Sequence, residues 1–216
     1  LIAGGYNGSY LSSAEIYNTT SNSSSSTGSM SSARERAAIA KLSNGDILVA
    51  GGFNGSSDLN TAEYYVQSSA TFTTVTSTMS AALSNAQASL LSSGKVFISG
   101  GQGPDTSYVY DHSSKSFTLT SNSMTYQRTS GQPTTTYYNI VSTSDGNLFF
   151  AGSFNGSSYS SGIELFVPSG SSGSFSAISP SFNFGTAITR ENPEISKLND
   201  GRVFVTGGTS SAGYLS

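Results

Sequence analysis

The feature that most constrains the fold is a short apolar segment that ends in two glycines and recurs along the chain. Its clearest copy occupies residues 47–52 and reads ILVAGG. Related copies begin at Leu1 (LIAGG), Lys95 (KVFISGG), Asn147 (NLFFAGS) and Arg202 (RVFVTGG). The copies return about every 50 residues, which indicates an array in which each repeat forms one supersecondary unit. Their apolar, β-branched and aromatic character predicts strands that are buried on both faces of a sheet.

Other positions recur in step with the double glycine. A turn glycine that follows Asn, Asp or Ser precedes four of the copies, at Gly45, Gly94, Gly146 and Gly201. Downstream, a first aromatic residue stands at Tyr17, Tyr65, Tyr110 and Phe166, and a second stands at Phe72, Phe117 and Phe175. A large apolar residue occupies the next shared position, at Met30, Met79, Met124 and Phe182.

This pattern resembles the kelch repeat, in which a hydrophobic strand, a double glycine and two spaced aromatic residues recur. The resemblance covers essentially the whole chain. The sequence departs from the family where Phe replaces the usual Trp, where the first repeat has only the serine run 21–26, and where Ser153 replaces the second glycine. The resemblance implies an all-β fold, a kelch-type β-propeller of four-stranded antiparallel blades, in one domain over residues 1–216.

The repeats are expected at approximately 1–30, 31–79, 80–124, 125–182 and 183–216. Both ends of the chain contribute the same double-glycine strand, so joining the ends would not complete a blade. We therefore expect about four to five blades' worth of a longer propeller with about six or seven blades. The alternative is an open array that completes itself against a second copy.

Strands are expected at 1–3, 12–18, 34–42, 46–50, 62–67 and 71–76 in the first two repeats. In the later repeats they are expected at 86–91, 95–99, 108–111, 116–120, 137–143, 147–151, 162–167, 174–178, 194–198 and 202–206. Residues 34–42 (RERAAIAKL) could pass for a short helix, but the repeat places a strand there. Residues 19–29 are expected to form a loop or an outer strand.

Composition bears on the location of the protein and on the classes of partner that it can bind. Only 10% of its 216 residues are charged, against about 25% in typical soluble domains. Ser, Thr, Gly and Asn take their place, and we interpret this hydroxyl-rich surface as extracellular or cell-surface. A net charge of −3 with scattered basic residues argues against nucleic-acid binding. The chain has no cysteine, and no apolar run approaches the roughly 20 residues that cross a bilayer.

The loops that follow the double glycines are the candidate recognition site, because loops on a rigid scaffold commonly carry function. In three of them an aromatic residue stands beside an amide, which suits contact with a sugar or a protein. These residues are Tyr6, Asn7, Phe53, Asn54, Phe154 and Asn155.

Five Asn-X-Ser/Thr sequons could accept glycans if the chain is secreted by a eukaryote. They begin at Asn7, Asn18, Asn22, Asn54 and Asn155. The Asn-Gly-Ser loops among them are also good tight turns without any sugar.

The sequence gives less support to a cofactor site or a metal site than to a recognition surface. Residues 203–213 look like a dinucleotide-binding glycine turn, but the same motif recurs upstream without a helical period. Kelch-like folds include galactose oxidase, whose chemistry requires copper held by tyrosines and histidines and a cysteine-crosslinked tyrosine. The lone His112 cannot build that site and is expected to be a solvated turn residue. No catalytic residue, metal site or cofactor is predicted.

The charged residues at repeat positions are expected to be structural. Glu15, Glu63 and Glu164 share one position, which favours an inter-strand or inter-blade hydrogen bond over acid–base chemistry. Arg34, Arg36, Arg128 and Arg190 recur after the large apolar position. Pairing of these arginines with carboxylates between blades is favoured over a role in a central channel or on one rim.

The sequence thus predicts a non-enzymatic binding or structural module, secreted or displayed on a cell surface. Its partner is expected to be a protein or a glycan, with self-assembly into a larger structure as a second form of partnership. Neither nucleic-acid binding nor membrane insertion is expected. The alternative is part of a galactose-oxidase-like secreted enzyme whose catalytic residues lie outside this segment.

Overall fold

The computed structural model describes residues 1–101, 106–126, 139–154, 159–178 and 193–215, and no helix occurs among them. The first sheet contains β1 (Ile2–Ala3), β2 (Ala14–Asn18) and β3 (Ser23–Ser26). The second sheet contains β4 (Ala38–Lys41), β5 (Ile47–Ala50), β6 (Ala62–Val66) and β7 (Thr71–Thr74). The third contains β8 (Gln87–Leu90), β9 (Val96–Ser99), β10 (Ser107–Asp111) and β11 (Ser116–Leu119).

The fourth sheet contains β12 (Val141–Ser142), β13 (Leu148–Phe154), β14 (Tyr159–Ser169) and β15 (Ser172–Ile178). Two further pairs follow, β16 (Glu194–Lys197) with β17 (Val203–Thr206), and β18 (Thr209–Ser210) with β19 (Gly213–Tyr214). Within every sheet each strand pairs antiparallel with the next strand in the chain. Antiparallel four-stranded sheets in chain order are the predicted all-β blades, and this prediction is confirmed.

Most strand predictions agree with the structure to within a few residues. Residues 34–37 are not helical, and the strand that the repeat predicted at 34–42 is the shorter β4, Ala38–Lys41. The serine run forms the outer strand β3, in which Ser24 pairs with Tyr17. Part of the predicted strand 137–143 lies outside the described residues. The glycines at 207–208 are followed by the hairpin β18–β19, so the helix that a dinucleotide-binding turn requires is not there.

The fourth sheet differs from the sequence expectation in the length of its central strands. They were expected at 147–151 and 162–167, but β13 and β14 pair as far as Phe154 and Tyr159. The register shifts between Ala151 and Ser153, at the position where the repeat loses its second glycine. The first and second repeats also form a bridge beyond the double glycine, between Tyr6 and Tyr10 and between Phe53 and Asp58. In the fourth repeat the Ser153–Ser160 pair joins the equivalent bridge to the strand.

Burial follows the position of each strand within its sheet. All four residues of β9 and the first four of β10 are buried, as expected for central strands covered on both faces. The outer strand β3 is fully exposed, and β7 is largely so. The first strands β4 and β8 of neighbouring sheets contact each other, so the sheets meet along their first strands.

The core lies between sheets rather than within one. Because successive side chains of a strand point to opposite faces, Val96 and Ile98 of β9 pack toward the second sheet. Phe97, between them, packs toward the fourth sheet, with its ring centroid 4.4 Å from that of Phe166. No single sheet could bury both of its faces alone, so the repeat array is what makes each blade stable.

The two spaced aromatic residues of the repeat face each other across the outer strand pair. Ring centroids are 5.1 Å apart for Tyr65 and Phe72, and 4.9 Å apart for Tyr110 and Phe117. The third pair, Phe166 and Phe175, is separated by 5.3 Å. In the first sheet, serine occupies the second aromatic position, so Tyr17 has no ring partner there and is exposed.

Neighbouring sheets are joined at equivalent positions by two different kinds of contact, a buried ion pair in one place and an apolar pair in the next. Between the first and second sheets, the buried Arg34 guanidinium donates to Glu63 at 3.0 Å and to the Gly51 carbonyl at 2.9 Å. Glu63 also accepts from the backbone N–H of Ser31 at 2.8 Å and Ser32 at 3.3 Å. The predicted pairing of arginine and glutamate between blades is confirmed for this pair.

Between the second and third sheets the pair is apolar. Leu83 stands where Arg34 stood, since their carbonyls accept from the equivalent N–H groups of Gly52 and Gly5. Tyr108 stands where Glu63 stood, and its hydroxyl accepts from the backbone N–H of Ala81 at 2.8 Å. Glu164 returns at this position in the fourth sheet and accepts from the Thr125 N–H at 2.5 Å. Glu15 is exposed, while Arg128 and Arg190 lie outside the described residues.

Candidate binding surface on one rim

Antiparallel pairing sorts the connections onto two edges of the sheets. β4 begins and β5 ends at one edge, because Ala38 pairs with Ala50. We call this edge the glycine rim, and it carries residues 5–13, 28–37 and 51–61. The opposite edge, the turn rim, carries the tight turns at 18–22, 42–46, 67–70, 91–95 and 111–116.

Three rings form a continuous cluster on the glycine rim. The Tyr6 and Tyr10 centroids are 4.9 Å apart, and the Tyr10 ring meets the Phe53 ring edge-on at 5.4 Å. Tyr6 is 59% exposed, whereas Tyr10 and Phe53 are half-buried. We call these three residues the aromatic patch. It joins the loop of the first sheet to the loop of the second.

Backbone hydrogen bonds fix the patch in place. Phe53 and Glu35 exchange two of them, each 2.9 Å long, which ties the loop after β5 to the segment before β4. Leu11 donates to the Gly5 carbonyl at 3.0 Å and closes the loop that carries Tyr6 and Tyr10. Recognition loops held in this way lose little conformational entropy when they bind.

An ion pair borders the patch. The Arg36 guanidinium lies 5.4 Å from the Phe53 centroid, within the range of a cation–π contact. It also pairs with the Glu35 carboxylate at 2.8 Å. Both charged side chains remain partly exposed, so the patch offers rings, a cation and an anion side by side.

The predicted amides shape the same loops. Asn54 accepts through Oδ1 from the backbone N–H groups of Ser56 and Ser57, both at 2.9 Å. Asn7 accepts from the Ser9 N–H at 3.3 Å. Because the side-chain oxygens serve the turns, the Nδ2 groups are the ends of these amides that can donate to a ligand.

The structure brings Tyr6, Asn7, Phe53 and Asn54 to one rim, as the sequence predicted. Phe154 lies at the end of β13, and Asn155 lies outside the described residues. The sequence did not single out Tyr10 or Glu35. Arg36 was expected to pair with a carboxylate between blades, but it pairs with the adjacent Glu35 on this rim. The second repeat has Asp58 at the place of Tyr10, and the fourth has Tyr159, so the aromatic character of this position is only partly repeated. Tyr10 is nevertheless the ring that connects the other two.

The described sequon asparagines lie at the surface. Asn7, Asn18 and Asn22 are exposed, and Asn54 is half-buried. Asn18 accepts from the Thr20 N–H at 2.8 Å in a turn on the opposite rim. Glycosylation at these sites stays a prediction.

Replacing Gly55 with alanine is expected to displace Tyr10 and break the aromatic patch. A Cβ on Gly55 would lie 2.5 Å from the Tyr10 ring, well inside contact distance. Gly8 is the matched control, because it holds the same place in the Asn-Gly-Ser loop of the first repeat, also at positive φ, but meets nothing within 4 Å. Near-ultraviolet circular dichroism should change for Gly55→Ala and not for Gly8→Ala. Equal spectra for the two variants would contradict the packing described here.

Among the described residues, no three or more His, Asp or Glu side chains group as metal ligands would. The expectation of a solvated His112 is wrong. It lies in a turn, but its side chain is only 20% exposed because it packs against Tyr64 and Tyr110.

Comparisons with known proteins bear on the fold. Residues 1–31 and 42–79 match the family described as the Kelch motif. No curated protein sequence matches the chain. The solved structure entitled "Structure of YjhT" is similar at a TM-score of 0.66 and 11% identity, over 92% of this chain and 66% of that one.

At this level of identity the similarity shows the fold alone. The chain spans just under two thirds of the solved structure that it matches. In all, 171 chains of known structure match, so the fold by itself selects no function. No helix in the described part of the chain is long and apolar enough to cross a membrane.

Proposed function

We propose that this chain, whose kelch motifs fold into blades of a kelch-type β-propeller, is a non-enzymatic binding module that recognises an extracellular glycan through its aromatic patch. The observation that carries the proposal is the exposed ring of Tyr6, which is held against Tyr10 and continues to Phe53. A rigid platform of this kind supplies a large contact area with few rotatable bonds to order on binding.

A glycan suits the chemistry around the patch. Pyranose rings present C–H groups that pack on aromatic faces, and their hydroxyls need both donors and acceptors. Tyr6 offers the exposed face, while the Nδ2 groups of Asn7 and Asn54 offer donors. Glu35, 22% exposed and held beside Arg36, offers an acceptor.

A protein partner is the second candidate, and the Arg36 contact with Phe53 supports it. Tyrosine and arginine are enriched among the residues that dominate protein interfaces. The patch already presents both kinds of side chain, with a charged pair at its border.

An extracellular or cell-surface location forms part of the proposal. Its support is the low charge of the sequence, 10%, together with the exposure of Asn7, Asn18 and Asn22. Enzymatic digestion of N-glycans from the natural protein, followed by mass analysis, tests this part separately.

Tyr10→Ala is expected to weaken ligand binding by at least about tenfold, or about 1.4 kcal/mol. The substitution removes the ring that positions both Tyr6 and Phe53. Tyr17→Ser is the control, because Tyr17 is an exposed tyrosine on β2, away from the patch. The measurement is binding to a glycan array and, in parallel, to an array of extracellular protein domains.

The two arrays separate the two candidates. Glycan features that bind the wild type and Tyr17→Ser but not Tyr10→Ala would support the first, and protein features with the same pattern would support the second. Equal binding by Tyr10→Ala and the wild type would overturn both. Oxidation of a sugar alcohol by the copper-loaded natural protein would instead establish the enzyme alternative.

A further inference from the structure

A separate cluster of titratable groups lies on the turn rim, between the second and third sheets. At its centre is His112, the only histidine in the chain, in the turn between β10 and β11. The Tyr64 ring of the second sheet meets the imidazole edge-on, with centroids 4.9 Å apart. The Tyr110 hydroxyl of the third sheet lies 3.2 Å from Nδ1. His112 thus touches both sheets at once.

Lys115 closes the cluster from the same turn. Its Nζ lies 2.9 Å from Nδ1 and 2.7 Å from Nε2 of His112. The same ammonium stands 4.5 Å from the Tyr64 centroid, in a cation–π contact that reaches across to the second sheet. Lys115 adopts a φ of 55°, an uncommon conformation for a residue other than glycine. Asn22 and Ala70 adopt nearly the same φ in the equivalent turns of the first and second sheets, so this conformation belongs to the turn type. What is particular to this turn is the contact of Lys115 with the second sheet.

These surroundings favour a neutral imidazole. Burial and the neighbouring Lys115 ammonium lower the pKa of His112 from its usual value near 6.5, against the carboxylates of Asp46 and Asp111. Burial also raises the pKa of Tyr110, so its hydroxyl keeps the proton that it can donate to Nδ1. Burial lowers the pKa of Lys115, and Asp46 opposes that shift.

Asp46 is the carboxylate that can receive a charged imidazole. It lies in the turn between β4 and β5, with Oδ2 3.8 Å from Nε2 of His112. It also accepts from the Gln67 N–H at 3.1 Å and from Asn44 at 2.8 Å, which keep it in place.

The other carboxylate near His112, Asp111, is already engaged. It pairs with Lys95 at 3.2 Å. Hydrogen bonds from Ser113 and the Lys95 ammonium hold its pKa at about 2, although partial burial opposes them. It therefore stays charged and paired throughout the range in which a histidine titrates.

We propose that His112, Lys115 and Asp46 form an acid-sensitive latch between the second and third sheets. At neutral pH the uncharged imidazole lies against Lys115, and the lysine ammonium rests on Tyr64. On acidification the imidazolium repels Lys115 and pairs with Asp46. Lys115 then leaves the Tyr64 ring for solvent, and the turn at 112–115 loses its contact with the second sheet.

The sign of the pH effect follows from the lowered pKa. The folded protein binds a proton at His112 less readily than the unfolded chain does, so protonation favours opening. The stability that the cluster contributes is complete above the unfolded pKa, near 6.5, and is lost as the pH falls through the lower folded pKa. Mildly acidic compartments would thus loosen the turn rim while leaving the glycine rim unchanged.

The single histidine makes the test direct. The imidazole Cε1 proton is followed by NMR while the whole chain is titrated from pH 8 to pH 4, a range chosen to span both protonation states. The wild-type midpoint should fall below 6.5. Lys115→Met should raise it, because the repelling ammonium is gone, and Asp46→Asn should lower it further. Lys197→Met, at an exposed position on β16, should leave it unchanged.

A second readout distinguishes a latch from a histidine that titrates without consequence. The backbone amide signals of residues 112–115 should shift with the same midpoint as the imidazole in the wild type, and this shared transition should be absent in Lys115→Met. A wild-type midpoint at or above 6.5 would overturn the proposal. So would equal midpoints in wild type and Lys115→Met, or turn amides that do not respond to pH.

Discussion

Replacing Arg34 with leucine is expected to lower the free energy of unfolding by about 3–5 kcal/mol. The substitution leaves the Glu63 carboxylate buried without its cation, since both side chains are only 1% exposed. It also removes the donors to the Gly51 and Thr61 carbonyls. Losing one partner of a buried ion pair costs far more than the pair itself contributes to stability.

The double variant Arg34→Leu/Glu63→Tyr is expected to recover most of that loss. The contact between the second and third sheets shows the arrangement that the double variant would adopt. There Leu83 lies in the core and the Tyr108 hydroxyl accepts from the Ala81 N–H. Replacing a buried ion pair by well-packed groups of similar volume is often neutral. The double variant therefore reproduces the leucine and tyrosine contact that already joins the second and third sheets.

Urea denaturation of the wild type, both single variants and the double variant gives the coupling between the two positions. Arg202→Leu is the control, because Arg202 pairs with Asp200 at 2.7 Å on an exposed surface and should tolerate the change. A double variant no more stable than Arg34→Leu would contradict the equivalence of the two contacts, the one between the first and second sheets and the one between the second and third.

The second large effect is expected at the double glycine. Gly51→Ala should lower the free energy of unfolding by about 3 kcal/mol or more, at the upper end of ordinary substitutions. Gly51 has a φ of +67°, and a Cβ there would lie 2.3 Å from the Leu83 carbonyl oxygen. That oxygen accepts from the Gly52 N–H at 2.7 Å, so it cannot move away without breaking the contact between sheets.

Gly170→Ala is the control for the backbone part of this effect. Gly170 has a φ of +57° but meets nothing within 4 Å, so alanine there should cost only about 1–2 kcal/mol for the left-handed conformation. Thermal or urea unfolding of the two variants separates conformational strain from the clash. Equal losses would show that close approach to Leu83 is not what requires glycine at position 51.

Much of the fold could be predicted from the sequence because it follows from local repetition. The strand period, the turn glycines and the Tyr65–Phe72 type of aromatic pair are each determined within one repeat. The central strands of the fourth repeat are longer than predicted, because the Ser153–Ser160 pair joins the last bridge to the rest of the strand. That effect depends on pairing with β14, which the segment around position 153 does not itself encode.

The contacts between repeats were harder to predict. Arg34 and Glu63 recur visibly, but Leu83 and Tyr108 share no chemistry with them and are recognised as equivalents only from their backbone contacts. The partial burial of the His112 side chain was not predicted, for a similar reason. Its turn is polar in sequence, yet rings from two sheets cover the side chain.

The candidate site was predicted in part. The Asn-Gly-Ser loops brought Tyr6 and Phe53 to attention because they recur. Tyr10, Glu35 and Arg36 complete the surface, and an irregular loop gives no periodic signal of where its side chains lie. A site on such loops can be located only from the structure, even when the scaffold that carries it can be predicted from the sequence.

The most direct test of the proposed function is hydroxyl-radical footprinting with and without the strongest ligand found on the arrays. We predict protection of Tyr6, Tyr10 and Phe53 on binding, with no change at Tyr17 or at Tyr64 on the turn rim. Protection confined to the turn rim, or to positions away from the patch such as Tyr17 on β2, would contradict recognition through the aromatic patch.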